Sequence, residues 1–70
     1  MPELIDARGL GCAEPVILAK KALESHDEII LIVDAHIALE NIKALGLHMG
    51  CLVDVTGQPG ETYSIRIRRQ

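Results

Sequence analysis

The chain has no phenylalanine, no tryptophan and a single tyrosine among its 70 residues. Binding by aromatic stacking is nearly excluded, and the core must be built from nine Ile, nine Leu, four Val and several Ala. Long hydrophobic runs are missing as well. The longest wholly apolar stretch, Ile29 to Val33, is far short of the roughly 20 residues that span a bilayer, so no membrane segment is expected. The opening Met1-Pro2-Glu3-Leu4-Ile5-Asp6 lacks the positive charge and apolar length of a secretory signal, which predicts a cytoplasmic location. Cysteine is scarce. Small secreted domains held by disulfides usually carry more than Cys12 and Cys51, so both read as reduced thiols. Positive charge is short too: 7 Lys and Arg face 10 Asp and Glu, leaving a net charge of -3. The acids are spread along the chain, and no global field attracts nucleic acid.

What is present is the balance of a folded domain, 49% hydrophobic and 24% charged. At this length residues 1–70 are expected to form one small domain with a thin stability margin. Leu4-Ile5-Asp6 reads as a short first strand, halted by Gly9-Leu10-Gly11. From Pro15 to Ser25 a helical wheel gathers Val16, Leu18, Ala19, Ala22 and Leu23 on one side and Lys20, Lys21 and Glu24 on the other. Pro15 suits the first turn of that helix, and Ile17 falls on its polar side. Ile29 to Val33 is continuous and rich in β-branched residues, the pattern of a strand covered on both faces or central in a sheet. Ala38, Ile42, Leu45 and Met49 recur at helical spacing, with Gly50 as the stop. Cys51-Leu52-Val53-Asp54-Val55 and Tyr63 to Arg68 alternate with period two around the turn signal Gly57-Gln58-Pro59-Gly60, and predict a hairpin. The order βαβαββ, with right-handed crossovers, predicts a two-layer α/β sandwich in which two helices cover one face of a four-stranded mixed sheet.

Cys12 lies between the glycine loop and the predicted start of the first helix, where unpaired N–H groups and the helix dipole favour negative charge. The pKa of a thiol there can fall from about 8.5 toward neutral pH, and the thiolate is the form that attacks sulfur. Arg8, four residues earlier, reinforces this and Glu14 in the first turn opposes it. Local physics leaves two readings open: a reactive thiol, or a small, partly buried residue at a helix start. Cys51 shares its strand face with Val53 and Val55 and reads as an inert structural thiol. His26, His36 and His48 have no partner at metal-ligand spacing, which argues against a zinc site. Arg66, Arg68 and Arg69 form the one basic cluster, a pattern that usually marks a solvated face or protects a sheet edge.

The stretch Ile5-Asp6-Ala7-Arg8-Gly9-Leu10-Gly11-Cys12-Ala13-Glu14-Pro15-Val16-Ile17 resembles the signature of the TusA (SirA-like) sulfur-carrier family, an Asp-x-x-Gly-Leu-x-Cys-Pro-x-Pro segment that opens the first helix. The likeness runs on through Lys20-Lys21-Ala22-Leu23, and the element order agrees to the last strand. Within the family, the wording from Ile5 to Leu10, and Val33-Asp34 followed by Glu40-Asn41, is most similar to the YedF-type branch linked to selenium metabolism. The resemblance implies that Cys12 takes a sulfane sulfur from a donor such as a cysteine desulfurase, holds it as a persulfide and passes it to an acceptor protein thiol, with no cofactor. Gly11 and Ala13 flank that thiol, and Arg8 and Glu14 set its charge environment. Pro15 and Ile17 are expected in the docking surface, with Arg8, Lys20 and Lys21 at its rim. Where the family places proline after the cysteine, this chain has Ala13, which restores a backbone N–H and loosens the turn.

Two other classes compete. The two-layer arrangement resembles RNA-binding modules such as the C-terminal domain of translation initiation factor three, but strand aromatics and positive charge are both lacking. A non-transferring regulatory or interaction domain of the same fold is the other, and the departure at Ala13 keeps it open.

Overall fold

The structure, a computed structural model, describes residues 3–10, 13–57 and 62–70. Branching at Cβ suits a pleated surface better than a helix, and the Ile- and Val-rich segments become strands. The elements in chain order are β1 (Glu3–Asp6), α1 (Glu14–Ser25), β2 (Glu28–Val33), α2 (His36–His48), β3 (Cys51–Thr56) and β4 (Tyr63–Arg69). This is the order the sequence predicts. The expected turn at Gly57-Gln58-Pro59-Gly60 falls, apart from Gly57, outside the described residues.

The sheet order is β1-β2-β4-β3. β1 and β2 are parallel, while β4 runs antiparallel to both of its neighbours. α1 therefore crosses between adjacent parallel strands, and α2 carries the chain from β2 past β4 to β3. Ile29, Leu31 and Val33 of β2 and Tyr63, Ile65 and Ile67 of β4 are buried, whereas the residues between them are half-buried or exposed. That period of two means one covered face. β2 is thus central, and the two-sided cover that its apolar run also allowed is not what the fold uses.

Ala19 and Leu23 of α1 and Ala38, Leu39 and Ile42 of α2 close the core over Ile29, Leu31, Ile65 and Ile67. Each large aliphatic buried there contributes roughly 1.5–3 kcal/mol. The covered stripe of α1 is Pro15, Ala19 and Leu23, each four residues after the last, with Val16, Leu18 and Ala22 half-buried at its margins. Ile17 lies away from it and is 58% exposed. α2 ends at Gly50, whose φ of 73° is the left-handed conformation that stops a helix at low cost.

Three details sharpen the expectations. Cys51 is buried, but Val53 is half-buried and Val55 exposed, because cover thins toward the end of β3. β4 is an interior strand, so Arg66 and Arg68 lie on the open face of the sheet and protect no edge; Arg66 is engaged there by Glu28. Arg69 leaves the cluster, since the strand alternation turns it to the helix side. Its Nη2 donates to the Leu23 carbonyl, and its backbone N–H donates to the Asp27 carbonyl at 2.9 Å. A cation thus meets the carboxyl end of α1, where carbonyls lack helical partners.

Candidate functional site

Parallel strands deliver their following loops to one end of a sheet, and ligand sites of open α/β folds gather at that end. Here Ala7–Leu10 follows β1, Asp34 follows β2, and Thr62 precedes β4, whose first residue Tyr63 pairs with Val33 at the end of β2. Ala7 is buried, and its N–H donates to the Ile32 carbonyl at 2.8 Å, carrying the β1–β2 pairing one residue beyond the strand. The chain then turns at Gly9, where φ is 78° and a side chain would be strained.

Two carboxylates hold this turn. The Asp6 Oδ1 atom accepts from the Arg8 backbone N–H at 3.1 Å and from Arg8 Nε at 2.9 Å, while Oδ2 accepts from Nη2 at 2.7 Å. Hydrogen bonds from the Arg8 side chain and backbone hold the Asp6 carboxyl down at about 2, and the same pairing raises the Arg8 guanidinium. Asp34 supplies the second contact: its Oδ2 and Oδ1 accept from the Gly9 N–H at 3.2 and 3.3 Å. Asp6, Arg8, Gly9, Asp34 and Thr62 line an open concavity of about 570 Å³.

α1 begins at Glu14. Ala13 is its N-cap, with φ −88° and ψ −23°, and gives no side-chain hydrogen bond to the first turn. Its carbonyl accepts from the Ile17 N–H at 3.3 Å. Glu14 is the acidic residue of that turn. Gly11 and Cys12 lie outside the described residues, between the exposed Leu10 and the exposed Ala13. The Arg8 guanidinium, which the sequence offers to Cys12, is paired with Asp6.

The expected docking residues separate. Pro15 is less than 2% exposed because it opens the buried stripe of α1, so it offers no contact surface and that expectation is corrected. Ile17 is exposed, as is Leu10 at 43%. Lys20 and Lys21 are both exposed. Lys21 borders a cleft of about 270 Å³ with Glu3, Ile5, Leu18 and Ala22, on the β1 side of α1. Asp34, Thr62 and Leu10 were not among the residues expected at the site. The available signal was a carboxylate directly after the apolar run that ends β2.

Cys51 starts β3 opposite Arg69, at the other end of the sheet from Asp34 and Thr62. Among the described residues no three His, Cys, Asp or Glu side chains are grouped to hold a metal ion, and no helix is long and apolar enough to cross a membrane.

The curated proteins contain no match to this chain. A SirA-like protein from Desulfitobacterium hafniense has a similar solved structure, with 29% sequence identity, 93% of each chain covered and a TM-score of 0.83. The family model described as sulfurtransferase TusA matches residues 3–69, a span that takes in β1, the Asp6–Arg8 turn, Cys12 and every later element. The chain belongs to the TusA sulfurtransferase family.

Proposed function

We propose that the protein is a persulfide carrier whose working atom is the Cys12 sulfur. The Cys12 thiolate attacks the terminal sulfur of a donor persulfide. A new S–S bond forms on Cys12, the donor S–S bond breaks, and its electron pair leaves on the donor cysteine as a thiolate. Delivery is the same exchange with Cys12 as the leaving group, so neither step needs an outside oxidant or reductant. A cysteine desulfurase is the expected donor, and a protein thiol the acceptor. The observation that carries this reading is that the family match spans Cys12, a cysteine directly before the amino end of α1.

A cytoplasmic, reducing setting suits a chemistry that needs free thiols. The wording of residues 5–10 favours the YedF-type branch, which is linked to selenium metabolism. Intact mass after incubation with a cysteine desulfurase and cysteine tests the proposal. Wild type and Cys51→Ala should gain one sulfur, removable by dithiothreitol, and Cys12→Ser should gain none. Failure of wild type to load would favour the interaction-domain reading that Ala13 keeps open.

A further inference from the structure

We propose that β3 is a pairing edge through which two copies of this chain join, antiparallel and centred on Val53, into one continuous sheet. β1 and β3 are the two edges of the sheet. β1 is guarded, because it is only four residues long and carries Glu3 and Asp6, and shortness and charge keep an edge from pairing with another chain. β3 is longer, with six residues, and has no Lys, Arg or Pro. Its register with β4 runs unbroken from Cys51 opposite Arg69 to Thr56 opposite Ser64, so no bulge twists the edge away. Leu52 and Val55 are exposed on it at 45% and 38%.

Backbone direction decides which residues pair. Along an antiparallel strand, successive residues turn their N–H and C=O groups to alternate sides. The Arg69 N–H donates to the Asp27 carbonyl, so Arg69, Ile67, Ile65 and Tyr63 face β2, and Arg68, Arg66 and Ser64 face β3. The Ser64 carbonyl agrees, since it accepts from Thr56 Oγ1 at 3.4 Å. Leu52, Asp54 and Thr56 therefore bond to β4, and the groups of Val53 and Val55 point out of the sheet. Three two-fold registers use that free row. Centring on Asp54 sets two like charges directly opposite. Centring on Val55 runs the pairing into Gly57, whose φ of 134° is not that of a strand. Centring on Val53 keeps the pairing within β3: Val53 exchanges both hydrogen bonds with the partner's Val53, and Leu52 lies opposite the partner's Asp54. The helical layer fits the same axis. Gly46 of α2 lies against Val53, while Asn41, Ala44 and His48 border Val16 of α1. Leu47, 70% exposed, falls on the flank turned away from α1, and the two-fold brings both copies of it to one seam.

The test uses the full chain, with no sulfur donor, so it is independent of the role of Cys12. Sedimentation equilibrium from micromolar to millimolar concentration should show a monomer passing to a dimer. Amide exchange by NMR should slow at Val53 and Val55 over the same range, which decides the edge without any substitution. Charge then decides the register. Leu52→Asp meets the partner's Asp54 twice per dimer and Leu52→Lys meets it with opposite sign, so the lysine variant should bind about tenfold more tightly than the aspartate variant at low salt. Within one chain the order is reversed, because position 52 lies opposite Arg68, so weak dimerisation of Leu52→Asp is not a loss of folding. A wild-type monomer at every concentration overturns the proposal. So does a dimer in which the Val53 and Val55 amides exchange as fast as in the monomer, and so does equal dimerisation of the two Leu52 variants.

Discussion

Gly46 of α2 lies directly against Val53 of β3, so closely that a Cβ at position 46 would run into Val53 Cγ2. Glycine in a helix interior costs about 1 kcal/mol relative to alanine, and that cost is offset by the close approach of helix to sheet. Gly46→Ala should therefore destabilise despite its better helix propensity. Overpacking costs about 1–3 kcal/mol, so the net loss should reach at most about 2 kcal/mol. Denaturant midpoints with constant slope would measure it. Adding Val53→Ala should recover part of the loss by opening the space, and failure to do so would place the strain elsewhere.

That contact also shows where sequence reading stops. The element order was legible because periods of two and of 3.6 are local properties of β3, β4, α1 and α2. The sheet order was not, since nothing local says that β4 inserts between β2 and β3. A wheel put Ile17 on the solvent side of α1, as found, but did not show that Pro15, at one end of the stripe, is sealed in the core. Arg8 was legible as a cation four residues before Cys12 in sequence, whereas its engagement by Asp6 depends on the shape of the turn. The Gly9–Asp34 link joins residues 25 apart, so only the parallel β1–β2 pairing makes them neighbours.

The Asp6–Arg8 pair has a definite acid signature. The Asp6 carboxyl is lowered from 3.8 to about 2 in the fold. A depressed carboxyl pKa adds stability that is fully present above the unfolded value and is lost as pH falls through the folded one. The stability difference between wild type and Asp6→Asn should thus be constant above about 4 and shrink between about 3.8 and about 2. The pair is exposed, so the difference should be small and should shrink with salt. Thermal melts across that range, at low and high salt, check both. A difference independent of pH would mean that the charge of Asp6 contributes nothing.

Ala13 stands where the family pattern has proline, and its φ of −88° lies just outside the range of about −65 ± 15° that a pyrrolidine ring imposes, so a small backbone adjustment admits proline. Ala13→Pro removes freedom from the unfolded chain more than it distorts the folded one. Stability should rise by about 0.4–1 kcal/mol, with sulfur loading on Cys12 retained. Chemical denaturation with the mass assay reads both quantities. A loss of stability would mean that the first turn of α1 cannot accept the family's proline in this chain.

With Pro15 buried, Ile17 is the exposed large apolar side chain of α1, Leu10 is exposed just before the cysteine in sequence, and a docking surface on α1 is proposed to centre on Ile17. Lys20 and Lys21 lie further along the same helix and carry its positive charge, and the chain as a whole is acidic. Charges at the rim of a contact mostly set the association rate, whereas a desolvated apolar anchor governs how long the complex lasts. Lys20→Glu combined with Lys21→Glu should slow transfer from a cysteine desulfurase at low salt, and the effect should fade as ionic strength rises. Ile17→Asp should weaken docking at every salt concentration. Neither change touches the core, since all three side chains are exposed, so melting temperatures should stay close to wild type. Single-turnover transfer measured across ionic strength separates the two behaviours. Wild-type rates in both variants would move the docking surface to another part of the fold, with the Leu10 side of the loop the next to test.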